Sequence, residues 1–320
     1  MISIMMVQWF KDTIEDIIIV NIVKARVETK EQYDIVLKHK DIDEIILSRD
    51  CFSESDLIKY FDEIYNKGKK PWVLFERISR YEELDSKNSN LRTSTDKLLS
   101  SKNLYGVIIQ NLDSYAYVLR KISKASNKNL IIELNYTMNC YNSETKKIYE
   151  AIYNEKRANS NDVKLKFTAP VELNKYELAD VMYDSVLVYG YIDTMVSANC
   201  LKKNISSIKK SGEVSCKDRF NFENVENSSS YIIDRHGKKL HYKTYCKYCY
   251  NKIFNVDPLY LLDIKDEIGL DRILSGNLNS NSDSSLRLDF TIENAKEVKD
   301  ILSGIRPENF TRGHIKNTIK

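Results

Sequence analysis

Short runs rich in Val and Ile alternate with amphipathic stretches along this chain, and this alternation constrains the fold more than any other feature. The apolar runs predict buried strands, and the amphipathic stretches predict helices that cover a sheet. Because helices separate the strands, the strands are expected to pair in parallel, and eight of them favour closure into a barrel. We therefore predict a (β/α)8 TIM-like barrel formed by residues 1–320 as a single domain. The eight predicted strands are 22–28, 42–48, 71–77, 104–110, 129–134, 164–170, 185–190 and 285–290.

The predicted helices carry the chemistry expected at their ends and on their faces. Asn174 with Glu177 resembles a capping box, with Asn as the cap. The helix predicted at 143–155 is amphipathic, and one stripe of it should cover a sheet face. The residues of that stripe are Ile148, Ile152 and Tyr153.

The regular spacing breaks once, between the seventh and the eighth predicted strand. Residues 193–284 form a segment far longer than a usual connection in an α/β unit, and long insertions of this kind tend to be functional. Within it, 231–243 predicts a β-hairpin, and 257–268 predicts a helix with Pro258 at its first position. We therefore expect an insertion at 193–284 within the barrel domain.

Four of the six cysteines lie in this insertion. Cys246 and Cys249 are separated by two residues, a spacing that lets both thiolates turn toward one ion. Cys200 and Cys216, in flanking loops of the same chain, would complete a set of four ligands. The alternative is that these are small buried residues in an irregular region, because cysteine packs well in protein interiors. The concentration of cysteines in one segment favours metal binding.

The spacing does not select the metal. Four thiolates suit tetrahedral zinc and iron–sulfur clusters alike. A redox pair is a third interpretation, but such a pair normally opens a helix in a thioredoxin-like βαβ unit, which is absent around Cys246. A cysteine nucleophile would need a His partner such as His241, and metal ligation would consume the thiolate.

Several pieces of the C-terminal half occur in an order that is typical of one family. They are VYGYIDTMVSANC (188–200), Cys216, IIDRHGKKL (232–240), CKYCYNKIFN (246–255), SSLRLDFTIENAKEV (284–298) and FTRGH (310–314). In this order they resemble the collagenase-like peptidases of family U32, most specifically from about residue 188 onward. The family signature has a Gly-rich cysteine pair after a Glu–Phe segment, whereas here Cys200 follows MVSAN.

The resemblance implies an α/β barrel with a cysteine-bound cluster and a peptidase activity of unknown catalytic type. It also implies relatives that use a [4Fe–4S] cluster in oxygen-independent hydroxylation of transfer RNA or of a quinone precursor. We therefore expect a U32-type peptidase with a [4Fe–4S] cluster, or zinc as the alternative, at the barrel mouth. An iron–sulfur-dependent hydroxylase of tRNA or of a small aromatic substrate is a second hypothesis, and a zinc-stapled binding barrel without catalysis is a third. The expected ligands are Cys200, Cys216, Cys246 and Cys249.

Further candidate residues lie where the predicted strands end, because barrel enzymes place their active sites at the C-terminal ends of the strands. Side-chain alternation puts Arg287 and Asp289 on one face of the eighth strand. A carboxylate pair suits general acid–base chemistry, and an arginine suits an anionic group. The alternative is structural, with Glu172 and Arg287 as an ion pair and Asn174 as a helix cap. The candidate catalytic residues are Glu133, Glu172, Arg287 and Asp289.

Composition excludes some classes of partner. The net charge of +3 comes from 49 basic and 46 acidic residues in mixture, so there is no dense basic field for nucleic acid. The first twenty residues contain no continuous apolar run that would predict a secretory signal or a spanning helix. We therefore expect a cytoplasmic protein with reduced thiols and no membrane partner. The substrate stays open between a peptide, an RNA and a small molecule. A partner subunit or a second barrel is also a candidate binding partner, because members of the family that the chain resembles can be much longer.

Overall fold

The structure is a computed structural model that describes residues 22–79, 90–122, 130–156, 164–199, 227–274 and 284–316. Thirteen strands lie in these residues, numbered here in chain order. They are β1 Ile22–Val27, β2 Glu44–Ser48, β3 Lys70–Leu74, β4 Gly106–Ile109, β5 Ile131–Leu134, β6 Leu165–Phe167, β7 Ser185–Gly190, β8 Asp193–Ser197, β9 Ser228–Ile233, β10 Lys239–Tyr245, β11 Tyr250–Phe254, β12 Leu259–Tyr260 and β13 Ser285–Asp289. All eight predicted strands are present, as β1 to β7 and β13.

Most of the described helices lie between the parallel strands. They are α1 Lys30–Lys38, α2 Glu54–Asn66, α3 Asn90–Leu99, α4 Leu112–Ile122, α5 Ser143–Lys156, α6 Lys175–Val181, α7 Lys265–Ile268, α8 Leu270–Ile273 and α9 Ala295–Leu302, with 3-10 turns at Tyr136–Met138 and Leu262–Ile264. Seven of these α-helices have seven or more residues. Asn174 caps α6 in a full capping box with Glu177, as predicted.

The main sheet has nine strands in the order β12-β7-β13-β1-β2-β3-β4-β5-β6, and all neighbours except β12 and β7 are parallel. The prediction of a closed (β/α)8 TIM-like barrel is therefore wrong. The described chain forms a curled, half-barrel sheet with β12 and β6 at its edges. The sheet comes near to closing only where a parallel bridge joins Thr168, just after β6, to Ser185 at the start of β7.

β12 explains why the sheet stays open. It pairs antiparallel with β7, Leu259 with Gly190 and Tyr260 with Tyr189, and so occupies the edge of β7 that a longer β6 would need. The helix predicted at 257–268 is wrong in its first half, where Leu259–Tyr260 is a strand, and only Leu262–Ile264 and Lys265–Ile268 are helical. Because Leu259–Tyr260 forms a strand and not part of a helix, the same segment accounts for the open sheet and for the wrong helix prediction.

A second sheet lies in the chain between β7 and β13, where we predicted the insertion. Its strand order is β8-β11-β10-β9, and all its pairs are antiparallel. The hairpin predicted at 231–243 is confirmed as β9 and β10. We call this second sheet the lid sheet, because its side chains reach the C-terminal ends of the parallel strands.

The apolar core lies between the main sheet and its helices, but α5 differs from its predicted packing. Tyr153 is buried as predicted, whereas Ile148 and Ile152 are 60% and 40% exposed. The helix is therefore turned so that the expected apolar stripe is only partly covered.

Candidate functional site

Arg287 and Asp289 lie side by side at the C-terminal end of β13. The Arg287 guanidinium donates through Nε to Asp289 Oδ1 at 2.6 Å and through Nη2 to Asp289 Oδ2 at 2.8 Å. Its Nη1 donates to Asn135 Oδ1 at 2.8 Å, which connects β13 to the residue that follows β5. All three side chains are buried. Both carboxylate oxygens of Asp289 therefore accept from a charged donor in a bidentate pair.

Arg26 on β1 and Glu28 just after it join Arg287 and Asp289, and we call these four side chains the ionic group. Arg26 Nη1 donates to Asp289 Oδ2 at 3.3 Å and Arg26 Nε donates to Ser48 Oγ at 2.9 Å. Arg26 Nη2 also donates to Glu28, just beyond the end of β1. Burial raises the pKa of Glu28, but the charges of Lys243 and Arg26 outweigh it and lower this pKa to about 2. Glu28 is therefore ionised throughout the neutral range.

Glu133 lies in a deeper layer of the curled sheet. Its Oε2 accepts from Lys24 Nζ at 2.5 Å, and its Oε1 accepts from Thr168 Oγ1 at 2.7 Å. Lys24 also reaches Glu44 Oε2 at 3.3 Å and lies over the Trp72 ring, 3.9 Å from the centroid. Burial raises the pKa of Glu133, and the opposing effect of Lys24 prevails, so this pKa is lower than usual. Both of its oxygens are thus occupied.

Glu172 lies apart from the other three candidate catalytic residues. It is half-buried after β6, and its Oε2 is shielded without a hydrogen-bond partner. Burial raises its pKa, with the charge of Asp193 adding to the effect and His314 opposing it. Among the described ion pairs none joins Glu172 to Arg287, so the bridge that we considered as an alternative does not form.

The lid sheet covers this ionic group. Lys243 Nζ on β10 donates to Glu28 Oε2 at 2.7 Å, and the Tyr245 hydroxyl donates to the same oxygen at 2.9 Å. On β11 the Tyr250 hydroxyl donates to Asp50 Oδ2 at 2.7 Å, whereas Lys252 Nζ lies 3.4 Å from Asp193 Oδ2 on β8, within the lid sheet itself. The lid sheet is therefore held to the parallel strands mainly by buried charges and phenols.

Cys246 and Cys249 form the turn between β10 and β11. Cys249 adopts a left-handed backbone conformation, with φ of 55°, and its N–H donates to the Cys246 carbonyl at 3.3 Å. Between them, Lys247 is fully buried and donates to the carbonyl oxygens of Arg49 and Phe52, each at 2.9 Å. The turn is thus fixed against the end of β2 by the residues that separate the two thiols.

The other two predicted ligands, Cys200 and Cys216, lie outside the described residues. Within the described ranges no three or more His, Cys, Asp or Glu side chains are arranged to hold a metal ion. The predicted four-cysteine set therefore stays a prediction.

Cys51 lies far from the four clustered cysteines in the sequence. Its Sγ accepts from Asn227 Nδ2 at 3.3 Å, and Asn227 Oδ1 accepts from the Cys246 N–H at 3.2 Å. Burial is the main reason that the pKa of Cys51 is raised well above its ordinary value. Cys51 lies three residues after β2, and barrel enzymes place their active-site residues at the C-terminal ends of the parallel strands. This position is the sequence signal that could have identified Cys51 as a candidate site residue.

Two buried carboxylates at this end of the sheet were also missed, Asp50 after β2 and Glu293 after β13. Asp50 accepts from the Tyr250 hydroxyl, and burial raises its pKa to about 6. Glu293 accepts from the backbone N–H groups of Thr291 at 2.6 Å and Ile292 at 3.0 Å, and burial raises its pKa to about 7. Each has one shielded oxygen without a hydrogen-bond partner. In the described chain neither takes part in an ion pair, unlike Glu28, Glu133 and Asp289.

Comparison with known proteins adds no family to this geometry. No family model matches the chain, and no curated protein matches it. In the described ranges, every helix is too short or too polar to cross a membrane.

Proposed function

We propose that the chain binds a [4Fe–4S] cluster through Cys200, Cys216, Cys246 and Cys249 and is a cytoplasmic enzyme that depends on this cluster. The observation that carries the proposal is the turn at Cys246 and Cys249. The two cysteines are separated by two residues in a tight turn in which Cys249 is left-handed, and this spacing recurs in thiolate metal sites. The clustered ligand spacing and the resemblance to family U32 support the choice of an iron–sulfur cluster.

The surroundings of the turn fit a bound metal centre. Lys247 and Tyr248 are buried between the two cysteines, so the turn has a fixed position rather than a solvent-exposed one. Buried neighbours and fixed outer contacts orient thiolate ligands and tune the metal that they hold. Bound iron–sulfur clusters supply one-electron chemistry, and the chain's own residues would position the substrate.

The ionic group under the lid sheet bears on which reaction such an enzyme performs. A general base must be free to take a proton, and the oxygens of Glu133 and Asp289 already accept from Lys24, Thr168 and Arg287. This pairing argues against peptide hydrolysis by these carboxylates. It favours the second hypothesis, oxygen-independent hydroxylation of RNA or of a small aromatic substrate, over the peptidase.

The proposal is tested with protein purified without oxygen. We expect a brown protein whose visible absorption is bleached by dithionite and lost in the Cys246→Ala, Cys249→Ala variant. Cys140→Ala removes a buried thiol that lies elsewhere in the chain and should keep the colour. A colourless protein with stoichiometric zinc would instead support the zinc-stapled barrel.

The reaction class is tested on the same preparation. Cleavage of denatured collagen that is lost in Arg287→Ala would support the peptidase over the hydroxylase. No cleavage is the expected result, together with cluster-dependent hydroxylation of a nucleoside or aromatic acid in which water supplies the oxygen atom and an added electron acceptor takes the two electrons.

A further inference from the structure

An open cleft lies at the N-terminal ends of β3 and β4, at the opposite end of the main sheet from the ionic group. Its volume is about 670 Å³, which is within the range of small-ligand sites. Its two walls are the connection from α2 to β3 and the connection from α3 to β4. We call it the basic cleft, because its charged residues are Lys69, Lys70 and Lys102.

Hydrogen bonds hold the two walls of the basic cleft together. Asn103 Nδ2 donates to Asp62 Oδ1 at 2.7 Å, which fastens the connection before β4 to α2. The Tyr105 N–H donates to the Pro71 carbonyl at 2.9 Å, where β3 and β4 begin to pair. The cleft is therefore formed before any ligand enters, and such preorganisation lowers the cost of binding.

The C-terminal end of α2 borders the basic cleft, and its last carbonyl groups are capped. The Gly68 N–H donates to the Tyr65 carbonyl at 2.9 Å, and the Lys69 N–H donates to the Ile64 carbonyl at 3.1 Å. Gly68 has a φ of 75°, as a glycine that ends a helix commonly does. A Cβ on Gly68 would meet no atom within 4 Å, so this wall is open to solvent. The capping N–H groups offset part of the negative potential of the helix end.

Positive charge dominates the lining of the basic cleft. None of the ten described residues that line it is acidic. Lys69 Nζ donates to the carbonyl oxygens of His39, at 2.7 Å, and Ile42, which fixes the ammonium group without neutralising its charge and leaves a further N–H donor. Lys102 is exposed, and the described ion pairs do not include it. Two ammonium groups of the cleft are thus without a carboxylate partner in the described chain.

Lys70 and the two tyrosines supply the rest of the surface. Lys70 Nζ lies 3.3 Å from Glu44 Oε1 and 4.6 Å from the centroid of the Tyr105 ring, so its charge is already shared. The Tyr105 ring is held edge-on against Trp72, with 5.5 Å between centroids. Tyr65 is 59% exposed, so most of its ring surface is available to a ligand.

We propose that the basic cleft binds a small phosphate-bearing aromatic compound, with the phosphate beside Lys69 and Lys102 and the ring against Tyr65. Lysine binds phosphate as a point charge, and aromatic rings stack favourably on tyrosine. A phosphate dianion matches two unpaired ammonium groups better than a carboxylate does, because a carboxylate carries only a single charge. The basic cleft lies at the other end of the sheet from the proposed cluster, so this site goes beyond the proposed function.

The test is calorimetric titration of the full chain with phenyl phosphate at low salt and about pH 8, where the phosphate is a dianion. Inorganic phosphate and benzyl alcohol are titrated separately, because each carries only one of the two recognised groups. We expect saturable binding of phenyl phosphate and roughly tenfold weaker binding of either other compound. Bound phenyl phosphate should also slow the acetylation of Lys102 by acetic anhydride relative to that of Lys59, which peptide mass spectrometry measures.

Two substitutions test the two halves of the site. Lys102→Gln should weaken the binding of phenyl phosphate about threefold, and Tyr65→Ser should weaken it about fivefold. Both side chains are exposed, so the variants should fold as the unaltered chain does. Lys59→Gln and Tyr176→Ser remove an exposed lysine and an exposed tyrosine outside the cleft, and they should leave binding unchanged.

The proposal is overturned if the unaltered chain shows no saturable binding of phenyl phosphate, or if either half-compound binds as tightly. It is also overturned if the Lys102→Gln, Tyr65→Ser double variant binds phenyl phosphate as tightly as the unaltered chain. The Cys246→Ala, Cys249→Ala variant should bind phenyl phosphate normally, so failure of the proposed cluster and failure of this site are distinguishable.

Discussion

Lys243 on the lid sheet and Glu28 at the end of β1 form a buried ion pair, with Nζ 2.7 Å from Oε2. The pair joins the two sheets through residues that are 215 positions apart in the sequence. Because Arg26 and Tyr245 also donate to Glu28, this carboxylate is one of the points at which the lid sheet is attached to the parallel strands.

Lys243→Met should destabilise the fold by about 3 kcal/mol, because it leaves a buried carboxylate short of one charge partner. Urea unfolding at neutral pH measures this change. Lys239→Met, on the same strand but exposed, should change stability by about 0.5 kcal/mol or less. Equal effects of the two substitutions would show that the pair does not hold the lid sheet.

Glu28 should also make stability depend on acid. Its pKa is lowered from 4.5 to about 2, so its contribution is complete above 4.5 and is lost as the pH falls from there toward 2. The contribution is on the order of 3 kcal/mol. Glu28→Gln should therefore be less stable than the unaltered chain at neutral pH, and the difference should shrink across this window. A difference that is constant with pH would contradict the assignment.

Glu293 should have the opposite effect on stability. Its pKa is raised from 4.5 to about 7, so the folded protein holds the proton more tightly and loses stability as the pH rises through about 7. Glu293→Gln, which is always neutral, should gain stability relative to the unaltered chain between about pH 5 and about pH 8, by on the order of 3 kcal/mol. Denaturant unfolding of both proteins at the two pH values measures this change. A difference in stability between the variant and the unaltered chain that does not vary with pH would contradict the prediction.

Gly106 on β4 has no room for a side chain. A Cβ at this position would lie 2.3 Å from Cζ3 of the buried Trp72 ring. Gly106→Ala should cost about 2 kcal/mol or more, because overpacking a rigid ring forces strain. The cost should fall when Trp72 is first replaced by Leu, which a double-mutant cycle in denaturant measures. Strict additivity of the two substitutions would show that the ring is not the cause.

The alternation of Val- and Ile-rich runs with amphipathic stretches predicts the eight parallel strands well, because a buried strand is marked by a local run of apolar residues. Closure could not be predicted from the count of strands. It depends on which segment occupies the edge of β7, and Leu259 and Tyr260 do so through pairing that no local pattern encodes. Pro258 suggested a helix start, yet its carbonyl accepts the Thr311 N–H in an extended arrangement.

The candidate site is predictable only in part for a similar reason. Alternation along β13 places Arg287 and Asp289 on one face, and the structure shows them paired. Glu172 follows the short strand β6, and no ion pair joins it to Arg287 in the described residues. Glu293 and Cys51 lie in loops, where no periodicity applies, and only their tertiary contacts reveal their surroundings.

The most direct test of the proposed cluster is the iron and acid-labile sulfide content of protein purified without oxygen. The proposed cluster predicts about four iron atoms and about four sulfides per chain, both falling to background in the Cys246→Ala, Cys249→Ala variant. Stoichiometric zinc with no sulfide, or iron content that the double substitution leaves unchanged, would contradict it.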